Sequence, residues 1–417
     1  MTSDFSFIHA ADVHLDSPLT GLAQKDDNFS QLVRGATRRA FVNVVDLAIE
    51  EGAAFVVIAG DLYDGAWKDQ STGQFAIAQL ARLSRAGIRS VIAFGNHDAE
   101  SRITRHLTAP EGVYKLRNAR CETVVFEDLG VAIHGRSYKE AATTENIAAT
   151  YNPPTTGMFN VALLHTALEG HPNHAPYAPC SVGELHASGH DYWALGHVHE
   201  HSIRSSHPWI VYPGNTQGRH VRETGAKGAV VVRVQEGAVM HVEHRACDEV
   251  RWSSSSVDAV GARDAREVLE AIQDELQQTV RSSDNRPIAS RLTVSVGGQV
   301  AQRLLADPAW FESEVRGQAL GVSDALWIEK VRIAPSADHT PDGLPPEIAE
   351  LLAGALEDPD CARALEAAVA PLLAKLPSEV INADTSPLVA AARSRDSAAL
   401  VAAARSAIEA RLGSEEA

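Results

Sequence analysis

The sequence predicts an α/β protein in which helices pack on a sheet of buried strands. Apolar runs alternate with segments of helical periodicity through its first half. Residues 53–60 form one continuous apolar run, which is typical of a strand buried on both faces. Residues 31–50 place Leu32, Ala36 and Val44 on one face of a helix. A third observation is that polar motifs follow several apolar runs directly, which indicates a site at the carboxyl ends of the strands.

The predicted elements of this first region follow one another closely. The later strands lack long helices between them, which favours antiparallel pairing there. Residues 168–190 hold several prolines and histidines and are interpreted as a long functional or lid-like loop. Helices are predicted at 31–50 and 71–86, and strands at 5–10, 53–60, 88–94, 123–127, 131–135, 159–164, 192–195, 209–212, 228–235 and 239–245.

The remainder of the chain predicts two further regions. Ser253–Ser256 is a run of four serines and is interpreted as a linker. A helix at 264–281 and strands at 290–296 and 324–333 then predict a small α+β domain. Residues 336–346 are interpreted as a second linker before an Ala/Leu-rich helical region. The expected domains are therefore 1–250, 255–335 and 347–417.

Composition narrows the classes of function. The formal net charge of the 417 residues is -17, which argues against strong DNA binding by this chain alone, because phosphate contacts favour a basic surface. The four cysteines lie far apart without a CxxC pair, so a thiolate metal site or a disulfide framework is not expected. No apolar run reaches the ~20 residues of a membrane span, and the N-terminal segment does not resemble a signal peptide. A cytoplasmic protein without membrane attachment is expected.

Five short motifs concentrate possible metal ligands where apolar strands end. Carboxylate, imidazole and amide oxygen ligands suit Mn²⁺, Fe²⁺ or Zn²⁺. Two such ions about 3.5–4 Å apart can bind a phosphate oxygen, create a bridging hydroxide and stabilise in-line displacement. The motifs are Asp12-Val13-His14, Gly60-Asp61, Gly95-Asn96-His97-Asp98, His165 and Gly196-His197-Val198-His199.

Each motif alone has an ordinary structural interpretation. A Gly-Asp pair after a strand can be a simple turn, and His165 alone would be interpreted as a hydrogen-bonded core histidine. The Gly-His-x-His pair that ends at His199 is the strongest single signal. The presence of all five motifs, each at a strand end, favours a dinuclear metal site.

These motifs resemble the signature of the calcineurin-like metallophosphoesterases over residues ~5–245. The resemblance implies a layered αββα sandwich, here followed by a small α+β cap domain and a helical C-terminal region. Residues 9–19, 192–199 and 212–220 resemble more narrowly the bacterial DNA-repair exonuclease branch of SbcD and YhaO type.

The resemblance also implies roles for the motif residues. One divalent ion would be held by Asp12, His14 and His199. The resemblance implies His97 as the general acid near the leaving oxygen, with Asp98 orienting its ring, while a metal-bridged hydroxide attacks in line. Mn²⁺ is the expected metal, with Fe²⁺, Zn²⁺ and Mg²⁺ as alternatives. The second ion would be held by Asn96, His165 and His197, with Asp61 bridging the two ions.

Three further residues near the motifs bear on contact with a phosphate. Archaeal and eukaryotic nucleases of this branch typically have a histidine three residues after the bridging aspartate, where this chain has Asp64. An ionised carboxylate cannot donate a hydrogen bond to a phosphate, which puts that style of duplex-end processing in doubt. Arg219 and His220 follow a Gly-rich turn and either contact phosphate or belong to a solvated loop.

The expected function is that of a metal-dependent DNA exonuclease or endonuclease in DNA repair. DNA, single- or double-stranded, would be the substrate, and the resemblance implies an SMC-like coiled-coil ATPase subunit as partner and allows a homodimer. The apolar stripe of the C-terminal helices fits partner binding or a self-contained helical hairpin. The alternatives are a small-substrate phosphoesterase acting on nucleotides and a non-catalytic scaffold on the same fold.

Overall fold

The computed structural model of the chain divides into two compact units, Met1–Ser254 with Ser283–Ser290, and Ser255–Ser282 with Arg291–Ala417. The three predicted domains, 1–250, 255–335 and 347–417, stay a prediction. The structure describes residues 4–19, 33, 35–65, 70–100, 108–140, 143–168, 177–336, 350, 353–355, 358–375, 391 and 396–412.

The first unit contains two six-stranded sheets. The first sheet has the order β12-β11-β1-β2-β3-β4. Strands β1 to β4 pair in parallel, and β11 pairs antiparallel with both β1 and β12. Its strands are β1 (Phe5–Ala10), β2 (Phe55–Ala59), β3 (Arg89–Ala93), β4 (Val113–Lys115), β11 (Gly228–Gln235) and β12 (Ala238–Ala246).

The second sheet has the order β5-β6-β7-β8-β10-β9. Strands β6, β7, β8 and β10 pair in parallel, while β5 and β9 are antiparallel edges. Its strands are β5 (Glu122–Phe126), β6 (Val131–Gly135), β7 (Phe159–His165), β8 (Tyr192–Gly196), β9 (Ser202–Ser206) and β10 (Trp209–Tyr212).

Three apolar layers hold the first unit together and place its helices outside the two sheets. The helices are α1 (Ala36–Glu50), α2 (Gln70–Arg85), α3 (Asn96–Glu100) and α4 (Val182–Ala187), with a 3₁₀ turn at Ala148–Thr150. Helices α1 and α2 cover the outer face of the first sheet through residues such as Phe41 and Leu80. Phe7 and Phe55 stack between the sheets at 4.9 Å. Trp193 packs on the far face with Leu185 of α4. The predicted αββα sandwich is confirmed.

The second unit is an α+β arrangement with C-terminal helices. Its helices α5 (Ala265–Arg281) and α7 (Pro308–Val322) pack on each other. Helix α7 also packs on strand β15 (Leu326–Pro335). Helix α9 (Ser397–Leu412) contacts both α8 (Pro359–Lys375) and α6 (Gly298–Ala306). A three-stranded sheet has the order β13-β14-β15, with β13 at Arg251–Ala259, β14 at Ile288–Val296 and β15 at Leu326–Pro335.

Several local predictions are corrected. Ser253–Ser256 is not a linker, because the four serines lie inside β13, where their side chains alternate between partly buried and exposed. The 168–190 loop contains α4, which Ser181 and Glu184 start with a capping box. Residues 169–176 of that loop, and 337–346 of the second predicted linker, lie outside the described residues. Among the described helices, none combines the length and apolar character needed to cross a membrane.

Candidate metal centre

The loops after β1 and β2 are joined by backbone hydrogen bonds just past the strands. The Asp12 amide donates to the Gly60 carbonyl at 3.1 Å, and the His14 amide to the Asp61 carbonyl at 2.9 Å. Asp12, His14 and Asp61 all have positive φ angles, of 50°, 45° and 49°. This left-handed backbone is unfavourable for residues with a Cβ, and the surrounding pairing holds it in place. The side chains of these three residues therefore lie together at the carboxyl ends of β1 and β2.

Two glycines permit the close approach of neighbouring loops. A Cβ on Gly196 would lie 1.8 Å from the Ala59 carbonyl oxygen, and one on Gly95 would lie 2.3 Å from Asp61 Oδ1. Any other residue at either position would push apart the strand ends that carry the motifs. The close approach of these strand ends therefore requires glycine at both positions.

Asp12, His14 and His199 converge as one group of possible ligands, with one ligand atom from each lying within 4.8 Å of the others. The Nε2 atoms of His14 and His199 face each other at 3.3 Å, and His199 Nε2 lies 3.9 Å from Asp12 Oδ1. Burial lowers the pKa of His14 to about 4 and that of His199 to about 3, so both rings are neutral at physiological pH. Neutral imidazole is the form that binds a metal.

Asp12, Asp61 and His165 form a second group on the same criterion. His165 Nδ1 lies 3.0 Å from the Ala59 carbonyl oxygen and must donate to it. Its Nε2 then faces Asn96 Oδ1 at 2.9 Å and Asp61 Oδ2 at 3.4 Å. Although burial opposes the shift, the charge of Asp61 raises the pKa of His165 to about 9. The surroundings therefore favour positive charge at this point.

The residues present fit two divalent cations. Around the second group, the Nε2 atom of His165, the amide oxygen of Asn96 and the carboxylate of Asp61 point at one another. All three can act as acceptors, so only a proton or a cation between them makes the arrangement favourable. Asp12 belongs to both groups, so the two positions are adjacent. Oxygen and imidazole ligands match Mn²⁺, Fe²⁺ or Zn²⁺. Asp12, His14 and His199 would hold one ion, and Asp61, Asn96 and His165 the other.

His197 lies beside this site without joining the convergent groups found among the described residues. Its backbone amide donates to both Asp12 oxygens, at 3.1 and 2.9 Å. Its ring lies 5.1 Å from that of His165, measured between centroids. The residue thus fixes the Asp12 carboxylate directly, and its predicted place as a ligand of the second ion stays a prediction.

The carboxylate at His97 is Asp64 and not Asp98, which corrects the predicted orienting role of Asp98. His97 Nδ1 lies 3.0 Å from Asp64 Oδ1. Asp98 instead accepts hydrogen bonds from the backbone amides of Leu62, Tyr63 and Gly95, at 3.2, 2.8 and 3.0 Å. Asp98 lies in the first turn of α3, which directs its side chain back towards these amides. Asp98 therefore ties two motif loops together.

Asp64 also reaches towards His14, with its Oδ1 lying 3.4 Å from His14 Nδ1. Although burial opposes the shift, the contacts with His14 and His97 hold the pKa of Asp64 well below its usual range. The hydrogen bond to Asp64 raises the pKa of His97. His14, Asp64 and His97 form a third group of possible ligands. The His97 side chain is 40% exposed, so its ring is open to solvent.

Arg219 and His220 lie beside the ligand groups, where both approach Glu223 Oε1 at 3.5 Å. The Arg219 guanidinium approaches Asp64 at 3.8 Å and Glu223 at 3.5 Å. The Nε atom of Arg219 is buried without a hydrogen-bond partner, as is Nδ1 of His220. Phosphate contact by these two residues stays a prediction, and their positions suit it.

Glu223 was missed by the sequence analysis. Its Oε1 lies 2.7 Å from Nδ1 of His199, one of the predicted ligands. Tyr138 was missed as well, and its hydroxyl donates to the His165 carbonyl oxygen at 2.5 Å. Glu223 stands only three residues after His220 in the predicted Gly-rich turn, which is the one signal that could have drawn attention to it.

Two family models match this chain. A model of the calcineurin-like phosphoesterases matches residues 5–201, which carry the five motifs. A model described as the middle domain of the metallophosphoesterase YhaO matches residues 252–336. The chain belongs to the calcineurin-like metallophosphoesterases and, among them, to the YhaO family.

Two related sequences and one solved structure show what this chain is similar to. The uncharacterised metallophosphoesterase YhaO of Bacillus subtilis is 35% identical over 312 residues, which are 74% of this chain and 75% of that protein. The DNA double-strand break repair protein Mre11 of Methanopyrus kandleri is 28% identical over 292 residues, 61% of this chain but only 59% of that protein. The structure of a dimetal phosphatase from Danio rerio aligns at a TM-score of 0.34 and 12% identity, covering 56% of this chain and 93% of that one. A similarity as low as the last does not bear on chemistry.

Proposed function

We propose that this metallophosphoesterase is a dinuclear phosphodiesterase that cleaves the DNA backbone, with Mn²⁺ as its metal. The observation that carries the proposal is the convergence of buried carboxylates and imidazoles around Asp12 and Asp61, beside a solvent-open His97. When bound, two divalent ions supply positive charge for the phosphate oxygens and activate a water nucleophile. The remaining chemistry falls to the side chains of this chain.

His97 is suited to protonate the leaving oxygen. Asp64 contacts Nδ1, so the opposite ring nitrogen, Nε2, is the one that can donate towards solvent and substrate. Because Asp64 raises the pKa of His97, the ring carries a proton more readily near neutral pH. Asp64 thus fills the orienting role that the sequence analysis gave to Asp98.

Support for DNA as the substrate comes from the relatives and from Arg219. The archaeal relatives carry the name DNA double-strand break repair protein. Arg219 lies 3.8 Å from Asp64 and has a guanidinium nitrogen without a partner, which suits a phosphate oxygen of the substrate. His220, the next residue, would support the same contact.

An ATPase partner remains part of the proposal. The net charge of -17 leaves this chain poorly suited to hold a DNA duplex alone, so a second subunit would supply the basic surface. The resemblance to the SbcD branch names an SMC-like coiled-coil ATPase as that subunit, and a homodimer is compatible with it. A gene for a large coiled-coil ATPase beside the gene for this chain would support the pairing.

A small-substrate phosphoesterase is the second candidate. It is favoured by Asp64, an ionised carboxylate that faces the site next to His97 and would repel the additional phosphates of a polyanion. A nucleotide with one scissile phosphate meets less of this repulsion.

Cleavage assays separate these functions. The rates with single-stranded DNA, duplex DNA and bis-p-nitrophenyl phosphate should be compared in Mn²⁺, for the wild type and for His97→Ala. A DNA nuclease cleaves at least one of the DNA substrates in a His97-dependent manner. Cleavage confined to the small ester would support the second candidate. If the wild type is no faster than His97→Ala on all three, the catalytic proposal fails.

A further inference from the structure

The turn after β10 is bound to a predicted metal ligand through a buried carboxylate. Glu223 Oε1 lies 2.7 Å from His199 Nδ1, and the Glu223 side chain is 8% exposed. The backbone of His199 is held as well, because Lys227 Nζ donates to its carbonyl oxygen at 2.7 Å. Ring and backbone of this histidine are therefore both fixed from one side of the site.

The two oxygens of Glu223 have separate partners. Oε2 accepts hydrogen bonds from Asn215 Nδ2 at 2.9 Å and from the Arg219 amide at 2.7 Å. Those two bonds close the turn. Oε1 is not needed for that closure. Its shortest contact is with His199 Nδ1, while the Arg219 guanidinium and His220 Nε2 lie farther away, at 3.5 Å each. The division indicates two tasks, one for the turn and one for the histidine ring.

The contact determines the tautomer of His199. A carboxylate only accepts, so the proton must lie on Nδ1 for the 2.7 Å contact to be a hydrogen bond. Arg219 also approaches Nδ1, at 3.3 Å, but a nitrogen that already bears a proton cannot accept from it. Nε2 is then left with its lone pair, directed to the side where Asp12 and His14 converge.

We propose that Glu223 is a positioning residue of the metal centre, which fixes His199 in the Nδ1-protonated tautomer with Nε2 directed at the ion held with Asp12 and His14. The inference rests on the proposed dinuclear site and deepens it. A carboxylate behind a ligating histidine raises the basicity of the ligand and prevents ring rotation, and its loss typically costs ~10–100-fold in metal affinity. The turn that contains Arg219 is thereby part of the metal centre.

Glu223→Gln separates the two tasks. With its amide oxygen at the position of Oε2, glutamine still accepts from Asn215 and from the Arg219 amide. Its NH₂ group then faces His199 and favours the opposite tautomer, in which Nε2 bears the proton and cannot bind a metal. We expect one of two Mn²⁺ ions to bind ~10–100-fold more weakly in this variant, with a melting temperature close to the wild-type value.

Asn215→Ala is the matched control, because it removes a contact of the turn and leaves Oε1 on His199. Mn²⁺ titrations followed by electron paramagnetic resonance should compare the wild type, both variants, His199→Ala and the double variant. We expect near-wild-type affinity in Asn215→Ala and no additional loss when Glu223→Gln is added to His199→Ala. Wild-type affinity in Glu223→Gln, or an equal loss in Asn215→Ala, would overturn the inference.

A second measurement keeps this inference distinct from the proposed function. Nitrogen-15 NMR of the metal-free chain, with the His199 signals assigned from His199→Ala, reports which ring nitrogen bears the proton. We expect Nδ1 in the wild type and a change of tautomer in Glu223→Gln. An unchanged tautomer refutes the role of Glu223 even if DNA is cleaved. Absence of DNA cleavage refutes the proposed function and leaves this result intact.

Discussion

The floor and the rim of the site differ in burial and in chemistry. The floor consists of the predicted ligands Asp12, His14, Asp61, Asn96, His165, His197 and His199, and the rim consists of Asp64, His97, Arg219 and His220. Floor side chains such as Asp61 are almost inaccessible, whereas the His97 side chain at the rim is 40% exposed. The floor thus offers ligands shielded from water, and the rim offers groups that can meet a substrate.

This difference supports the proposal that metal binding and proton transfer belong to separate side chains. Burial keeps His14 and His199 of the floor neutral, as ligands must be. The hydrogen bond to Asp64 at the rim favours the protonated form of His97, as a general acid must be. Changes in the floor should therefore remove metal, and changes in the rim should remove rate alone.

The largest effect is expected from Asp61→Asn in the floor. Asp61 lies 3.4 Å from His165 and 3.9 Å from His14, so its charge serves both ligand groups. We expect Mn²⁺-dependent hydrolysis of bis-p-nitrophenyl phosphate to fall by about a thousandfold or more, which corresponds to ~4 kcal/mol, together with lost Mn²⁺ binding. Asp128→Asn, at an exposed aspartate paired with Arg89, is the control and should keep the wild-type rate of hydrolysis and the wild-type Mn²⁺ binding. Full metal binding by Asp61→Asn would remove the distinction between floor and rim.

His97→Ala tests the rim. If the proposed role is right, the expected loss is ~10²–10⁴-fold in the rate of DNA cleavage, with Mn²⁺ binding unchanged, because the proposed task of this ring is to donate a proton and it is not among the predicted ligands. The loss should be smaller for bis-p-nitrophenyl phosphate, whose leaving group needs little protonation. His186→Ala, at an exposed histidine bound to Ser205, should change neither rate. A large loss of Mn²⁺ in His97→Ala would place this residue in the floor.

Asp64→Asn and Asp98→Asn form a matched pair that separates catalysis from folding. For Asp64→Asn we expect a fall of about tenfold in kcat with little change in melting temperature, because His97 loses its charged partner. For Asp98→Asn we expect a loss of about 1–3 kcal/mol in the free energy of unfolding, because an amide group cannot accept all three backbone hydrogen bonds. Thermal unfolding and steady-state kinetics measure both. The reverse outcome would restore the orienting role of Asp98.

A further effect is expected away from the site, in the dependence of stability on pH. Burial lowers the pKa of His9 to about 3 and that of His190 to about 4. Between pH 6.5 and 4 the unfolded chain therefore binds protons that the folded chain does not, and stability falls as pH falls. Each of these histidines contributes up to about 1.4 kcal/mol per pH unit.

His9→Gln tests that slope. Unfolding by denaturant between pH 7 and 4.5 should show a weaker pH dependence in this variant than in the wild type, whatever the variant does to absolute stability. His186→Gln, at an exposed position, should keep the wild-type slope. An identical slope in His9→Gln would show that folding does not lower the pKa of this histidine.

The floor could be predicted from sequence because its residues follow apolar strands. Asp61 comes two residues after the end of β2 and Asn96 three residues after the end of β3, so their convergence follows from the parallel order of the strands. The layered fold could be predicted for the same reason, since a continuous apolar run such as 53–60 is sufficient to predict a buried strand.

The contacts behind the rim could not be predicted in this way. The contact of Asp64 with His97 and that of Glu223 with His199 each join two loops whose path is set by tertiary packing. Sequence adjacency suggested Asp98 as the partner of His97, but the first turn of α3 directs the two side chains apart. The four serines of β13 were wrongly predicted to be a linker for a related reason, because a polar strand lacks the apolar run from which a strand is predicted.

Anomalous diffraction at the manganese edge, from crystals of the wild-type chain soaked in Mn²⁺, tests the central claim most directly. We predict two peaks about 3.5–4 Å apart, one beside His14 and His199 and the other beside Asn96 and His165, with none requiring His97 as a ligand. The absence of both peaks, or a single peak between His97 and Asp64, would contradict the account.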